Sequence, residues 1–304
     1  MEIHFLGTGA GVPSKQRNGS ATALRFLSGA KGAWLFDCGE ATQHRMLNSS
    51  LRPPMFEAIF ITHMHGDHIY GLPGFLGSRS FMGATTPLTL YGPPGIKQFV
   101  TISLEASGTY LNYPLDVNEV RAGEKIETDR GAVEVVMLDH TVLSFGYRYT
   151  EPARRGRMRK EYLVKKGLPP GPLYKQLQEK KDVVMEDGTV VRWKEALEPD
   201  RPGRVISIAG DTKPSKGSRT LAENAEVLIH EGTFSENLKD HAGQFGHSTA
   251  KEAAIIARDG KAKHLILTHI SPRYEKEPEI LREEAAREFS NISVAYDGFV
   301  YKVK

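Results

Sequence analysis

Seven short apolar runs recur along the chain, each ending in glycine, aspartate or histidine: IHFLGTG (3–9), AWLFDCGE (33–40), AIFITH (58–63), VEVVMLDH (133–140), VISIAGD (205–211), EVLIHEG (226–232) and HLILTH (264–269). Unbroken apolar runs of four to six residues predict strands covered on both faces. Between them the apolar spacing turns helical, in EATQHRMLN (40–48), PGIKQFVTISLEA (94–106), TAKEAAIIARDG (249–260) and EPEILREEAAREF (277–289). Strands alternating with helices predict a layered α/β fold in which helices cover the sheets. Residues 151–203 break this rhythm, with Pro and Gly scattered among basic side chains. That stretch reads as an insertion, a projecting arm with too little apolar material for a core of its own. The expected organisation is one domain, 1–304, carrying an arm at about 151–203.

Composition narrows the class. With 39% hydrophobic and 25% charged residues in 304, the chain is that of an ordinary globular protein. No run approaches the ~20 apolar residues of a membrane-spanning helix, and the start MEIHFLGTGAG has no basic segment leading into an apolar one. A single cysteine, Cys38, excludes an internal disulfide framework and suits a reducing compartment. A cytoplasmic protein without membrane contact is expected. Net charge is only +3, but residues 151–181 hold ten Lys and Arg against three Glu, a local +7, so the remainder sums to −4. Such asymmetry points to a polyanionic partner.

The densest chemistry lies in ITHMHGDHIYG (61–71). His63, His65, Asp67 and His68 place four metal-competent donors in six residues at the end of a predicted strand. Imidazole and carboxylate suit Zn²⁺ and its neighbours. Four donors exceed what one ion takes from one loop, so two metals are expected. Further donors close other apolar runs: His140, Asp211 and His269. Asp37 also ends a run and is read as orienting a ligand histidine, because carboxylates behind a metal site fix imidazole tautomers. His247 precedes a helix whose start, Thr249 with Glu252, has the spacing of a capping box. Free backbone N–H groups at a helix start favour an anion. His44, His241 and His264 have no comparable placement.

THMHGDH resembles the His-x-His-x-Asp-His signature of the metallo-β-lactamase superfamily. FLGTGAGVPSKQRN, FDCGEATQHRML, SIAGDT, HEGTF, HSTA and ILTHISPRY, taken with it, are similar to the ribonuclease Z family of tRNA 3′-processing endonucleases. The resemblance implies an αββα sandwich with an inserted flexible arm. It implies that His63, His65 and His140 bind one zinc and Asp67, His68 and His269 a second, with Asp211 bridging, two per subunit; Mn²⁺ or another divalent ion accepts the same donors. It gives Asp67 a part in orienting the attacking water and makes His247 the proton donor, with Glu231 as its partner. It also assigns RNA contacts to Pro13, Lys15, Arg17 and Asn18, to Ser248 and Thr249, and to Gly167, Gly171 and Pro172 of the arm. Where the family stretch usually reads His-Glu-Ala-Thr, this chain has Gly232.

The implied activity is removal of the 3′ trailer of precursor tRNA just after the discriminator nucleotide, by a homodimer. It leaves a 3′-hydroxyl on the tRNA and a 5′-phosphate on the trailer. Two rivals stand beside it at this point. One is a hydrolase of small esters or thioesters, for which a basic arm has no use. The other is an RNA-binding module without catalysis, for which the full donor set has no use.

Overall fold

The computed structural model describes residues 1–29 and 31–303. Two seven-stranded sheets dominate. The first runs, in spatial order, Val300–Lys302, Glu2–Gly7, Ala21–Phe26, Gly32–Phe36, Phe56–Phe60, Leu88–Gly92 and Leu115–Glu119. The second runs Ile292–Val294, Leu265–Thr268, Val227–Glu231, Val205–Ile208, Phe145–Thr150, Gly131–Met137 and Lys125–Thr128.

The two-residue period of the strands distributes side chains into three apolar layers. Trp34 and Phe36 point between the sheets, with Phe60, Tyr147, Ile206, Ile229 and Ile266. Their neighbours Ala33 and Leu35 face the other way, where Leu72, Phe75, Leu76, Ile96 and Val100 cover them. On the second sheet Leu228, Leu265 and Leu267 face Leu221, Ala253, Ala254 and Leu281. Helix, sheet, sheet, helix is therefore the layering, which bears out the expected αββα sandwich.

Within each sheet a block of strands is parallel. Gly32–Phe36 pairs in parallel with Phe56–Phe60, and that strand with Leu88–Gly92. Val205–Ile208, Val227–Glu231, Leu265–Thr268 and Ile292–Val294 are parallel in turn. Parallel strands deliver their C-terminal ends to one edge, where α/β folds hold their ligands. Asp37, His63, Asp211, Glu231 and His269 all lie at or just past such ends.

The chain divides into two compact units, one of residues 1–128, 133–149 and 205–304, the other of 129–132 and 150–204. The second unit corrects the expectation that the insertion lacks apolar material for a core. Leu163, Leu168, Leu177, Val183, Val191 and Ala196 are buried together, with Tyr162, Tyr174 and Trp193 partly buried against them. Three short helices (Lys160–Lys165, Leu173–Gln178, Trp193–Ala196) and a hairpin of Val183–Val184 with Val190–Val191 supply them. Glu151 clamps Arg204 with two contacts, at 2.6 and 2.7 Å, and also meets Arg154 at 3.0 Å. A bidentate guanidinium pair of this kind fixes orientation as well as charge.

Candidate metal centre

The site begins with two buried carboxylates that touch no substrate. Asp37 accepts from the Thr62 backbone N–H (2.8 Å), the Thr62 hydroxyl (2.9 Å) and His68 Nδ1 (2.8 Å). Because the Thr62 hydroxyl spends its only proton on Asp37, its 2.9 Å contact with His63 Nδ1 makes that nitrogen the donor. Glu231 repeats the arrangement in the second sheet. It accepts from the Thr212 and Ser248 N–H groups (2.7 and 3.0 Å) and from the Thr233 hydroxyl (2.6 Å). The Thr233 hydroxyl then accepts from His269 Nδ1 at 3.0 Å. His140 Nδ1 donates to the Gly246 carbonyl at 2.7 Å.

Each of His63, His68, His140 and His269 therefore has its Nδ1 proton engaged outward and its Nε2 turned inward. His65 presents Nδ1 instead, 3.1 Å from His63 Nε2 and 3.3 Å from His140 Nε2, with one proton at most to share between two acceptors. His68 Nε2 is buried without any hydrogen-bond partner, and its nearest polar atoms are Asp67 Oδ2 at 3.5 Å and Asp211 Oδ2 at 3.6 Å. Lone pairs converging on carboxylate oxygens repel one another unless a cation lies among them. The donor set fits a divalent metal.

Asp211 is the common member. Its Oδ2 lies 3.2 Å from His269 Nε2, 3.6 Å from His68 Nε2 and 3.7 Å from His63 Nε2. Donor atoms of His63, His65, His140 and Asp211 lie within 4.8 Å of one another, as do those of Asp67, His68 and His269. These are the two ligand groups expected from the sequence. Burial, then the neighbouring imidazoles, hold His63 well below its ordinary value. Burial and His140 lower His65 as well. Burial opposes ionisation of Asp67, yet the hydrogen bond from His269 and the nearby His68 hold it below the usual carboxylate range. Asp211 is likewise buried and is held well down by His269, His68 and His63. Burial disfavours the charge of His68, but Asp211 and Asp37 outweigh it and raise His68 well above its ordinary value, so a metal taking its Nε2 would displace a proton.

Backbone geometry aims these groups. Asp37 and His269 are non-glycine residues with φ of 58° and 55°. Such left-handed turns at strand ends cost about 1–3 kcal/mol each and persist where the surroundings over-determine them. Gly39 is required for a different reason: a Cβ there would meet the Asp67 carbonyl oxygen at 2.5 Å. The loop bearing Asp67 lies directly on that glycine.

His247 stands beside the donors. Its Nδ1 is 3.0 Å from Glu231 Oε1 and 3.9 Å from Asp211 Oδ2. Burial disfavours its charge, but Glu231 outweighs burial and raises it to about 9. Glu231 is itself held below its ordinary value against burial by the same partner. Thr249 caps the helix Ala250–Asp259 with Glu252, the capping box expected. The open side of the site is a cleft of about 410 Å³ lined by Val12, Asp67, Asp211, His247, His269 and several further residues.

One relative, the ribonuclease Z of Bacillus cereus strain G9842, is 51% identical over 301 residues, covering 98% of this chain and 97% of its own. The chain belongs to the ribonuclease Z family. The ribonuclease Z of Bacillus thuringiensis strain Al Hakam is 50% identical over the same shares. Among solved structures, the short form of human tRNase Z superposes at a TM-score of 0.72, with 29% identity and both chains fully covered. The metallo-β-lactamase fold protein YhfI of Bacillus subtilis follows at 0.68 and 20% identity, a likeness of fold. A family model described as anti-Pycsar protein Apyc1 matches residues 1–146.

The RNA-contact residues expected of a ribonuclease Z divide in two. Pro13 and Lys15 are exposed. Arg17 is buried, its guanidinium donating at 2.7 Å to the Thr8 hydroxyl and to the Ala295 carbonyl. Asn18 is buried too, its amide held by the Glu40 carbonyl and its N–H by Asp297 at 2.8 Å. Ser248 donates to the Thr212 carbonyl at 2.6 Å and is fully buried, as is Thr249. The polar side chains of these four are engaged within the protein itself. Gly167, Gly171 and Pro172 belong to the other unit, exposed between its first two helices. Three contributors went unseen in the sequence: Thr62, Thr233, and Gly11, whose N–H donates to Asp67 Oδ2 at 2.8 Å.

Proposed function

We propose that this protein is a zinc-dependent endoribonuclease that removes the 3′ trailer of precursor tRNA, cutting just after the discriminator nucleotide. The observation that carries the reading is the placement of His247, kept charged by Glu231, against two groups of inward-facing metal donors. The end-to-end match to ribonuclease Z relatives supports the choice of substrate.

Zinc would be held by His63, His65 and His140 and by Asp67, His68 and His269, with Asp211 within reach of both sets, and would supply an activated water and neutralise charge at phosphorus. The residues do the rest. Asp67, ionised and fixed by the Gly11 N–H, orients the attacking water, whose proton is lost to solvent. His247 donates a proton to the departing 3′ oxygen as the P–O3′ bond breaks. The tRNA leaves with a 3′-hydroxyl and the trailer with the 5′-phosphate. Glu231 keeps that proton on His247, and the Thr212 and Ser248 N–H groups keep Glu231 in place.

The reading extends to a cytoplasmic homodimer in which one subunit's arm holds the tRNA cut by the other. The arm's own core and its excess of Lys and Arg support a part in gripping RNA backbone, and the lone cysteine suits a reducing compartment. No helix among the described residues is long and apolar enough to cross a membrane.

The test is cleavage of a precursor tRNA with a short trailer, mapped to the nucleotide, by the parent protein and Asp67→Ala. A single cut after the discriminator, lost in the variant, is expected. No cut by metal-loaded parent overturns the assignment.

A further inference from the structure

One wall of the cleft has no part in metal binding or proton transfer. Phe234, His241 and Phe245 form a chain of rings: Phe234 to His241 at 5.1 Å and 86°, His241 to Phe245 at 4.7 Å and 51°. Phe234 also reaches His247, at 6.0 Å between centroids. The Arg273 guanidinium stands 5.8 Å from the Phe234 centroid. Phe245 is 51% exposed although it opens onto a site of charged groups, and Val12, across the same cleft, is 65% exposed. What marks Phe245 is its place: a half-exposed ring at the end of a row of rings that begins at His247, in the cleft beside the metal donors, is a face that a flat ligand can cover.

We propose that this wall is a stacking subsite for the base of the nucleotide that keeps the new 3′ end. The inference rests on the endoribonuclease reading and deepens it. The direction follows from the chemistry. In an in-line displacement the attacking and departing oxygens lie on opposite sides of phosphorus. The departing O3′ belongs to the retained nucleotide, and it must lie against the proton donor, His247. The rings that continue from His247 therefore meet the retained nucleotide, while the trailer stays on phosphorus through its O5′, in the equatorial plane between the attacking and departing oxygens. Aromatic rings with an arginine beside them take any base, since every base offers a π-face. The subsite holds the discriminator whatever its identity.

The test pairs the parent, Phe245→Ala, Phe245→Leu and Phe245→Trp with three precursor tRNAs: intact, abasic at the discriminator, and abasic at the first trailer nucleotide. Single-turnover kcat/KM is compared. Losing a stacked base is expected to slow the parent about tenfold to a hundredfold. Phe245→Ala and Phe245→Leu are expected to slow the intact substrate by a similar factor, and Phe245→Trp to restore it. On the discriminator-abasic substrate those two variants should lose nothing further; on the trailer-abasic substrate the losses should multiply. Multiplying losses at the discriminator, no loss in Phe245→Ala, or failure to multiply at the trailer would each overturn the subsite. If the parent fails on the intact substrate, the endoribonuclease reading itself is wrong, and the subsite falls with it.

Discussion

Thr62 and Thr233 occupy matching places in the two halves of the site: each hydroxyl donates to a buried carboxylate and accepts from the Nδ1 of a metal-facing histidine. Asp37 and His63 flank the first, Glu231 and His269 the second. Each threonine passes a carboxylate's charge on to an imidazole and fixes its tautomer, that of His63 in one half and of His269 in the other.

Replacing Thr233 with valine keeps the shape and removes the hydroxyl, so His269 Nδ1 loses its acceptor. Outer partners of metal histidines are typically worth 10–100-fold in metal affinity. Zinc titration against a chromogenic chelator should show a weakening of that order for Thr233→Val, and separately for Thr62→Val. Unchanged affinity in both would mean that the hydroxyls are passive.

The pH profile should depend on Glu231. In the proposed mechanism His247 acts as a protonated donor, and its raised value of about 9 keeps it loaded at neutral pH. Activity contributed by this donor is therefore present below about 9 and lost as pH rises through it. In Glu231→Gln the carboxylate that lifts His247 is gone, and the alkaline limb should move to lower pH. A kcat/KM profile on precursor tRNA reads this directly; an unmoved limb would assign it to another group.

Gly246 sits at φ 78°, and a Cβ there would lie 2.7 Å from His140 Nδ1. Gly246→Ala should cost about 1–2 kcal/mol through the left-handed backbone alone, and it should also displace His140. A lowered Tm together with zinc content below that of the parent is expected. Full zinc content would show that His140 moves freely.

Salt dependence should report the arm. Lys165, Lys166 and Lys175 are exposed on the basic unit. Replacing all three with alanine should raise KM for precursor tRNA and flatten the logarithmic salt dependence of binding by roughly two to three units if each meets a phosphate. An identical slope would remove the arm's lysines from the RNA contact.

The donors were legible in the sequence because they share one placement, the end of an apolar run, and four of them are contiguous. The αββα layering followed from the alternation of strands and helices for the same reason. Thr62 and Thr233 were not legible, since Asp37, the acceptor of Thr62, and His269, the donor to Thr233, both come from distant parts of the chain. The family resemblance implied RNA contacts at Arg17 and Asn18; in the structure Arg17 is buried on the Thr8 hydroxyl and Asn18 on Asp297, partners that the sequence does not reveal. The arm's core escaped notice because Leu163, Leu168, Leu177, Val183 and Val191 come singly, without helical or alternating period, and meet only after the chain turns back on itself.

His269 reaches the donor cluster from the strand Leu265–Thr268, and Val300–Lys302 pairs with the first strand of the chain, Glu2–Gly7. The donor cluster and the edge of the first sheet are thus both completed by one late stretch of the chain, 265–302, so its docking closes the two at once.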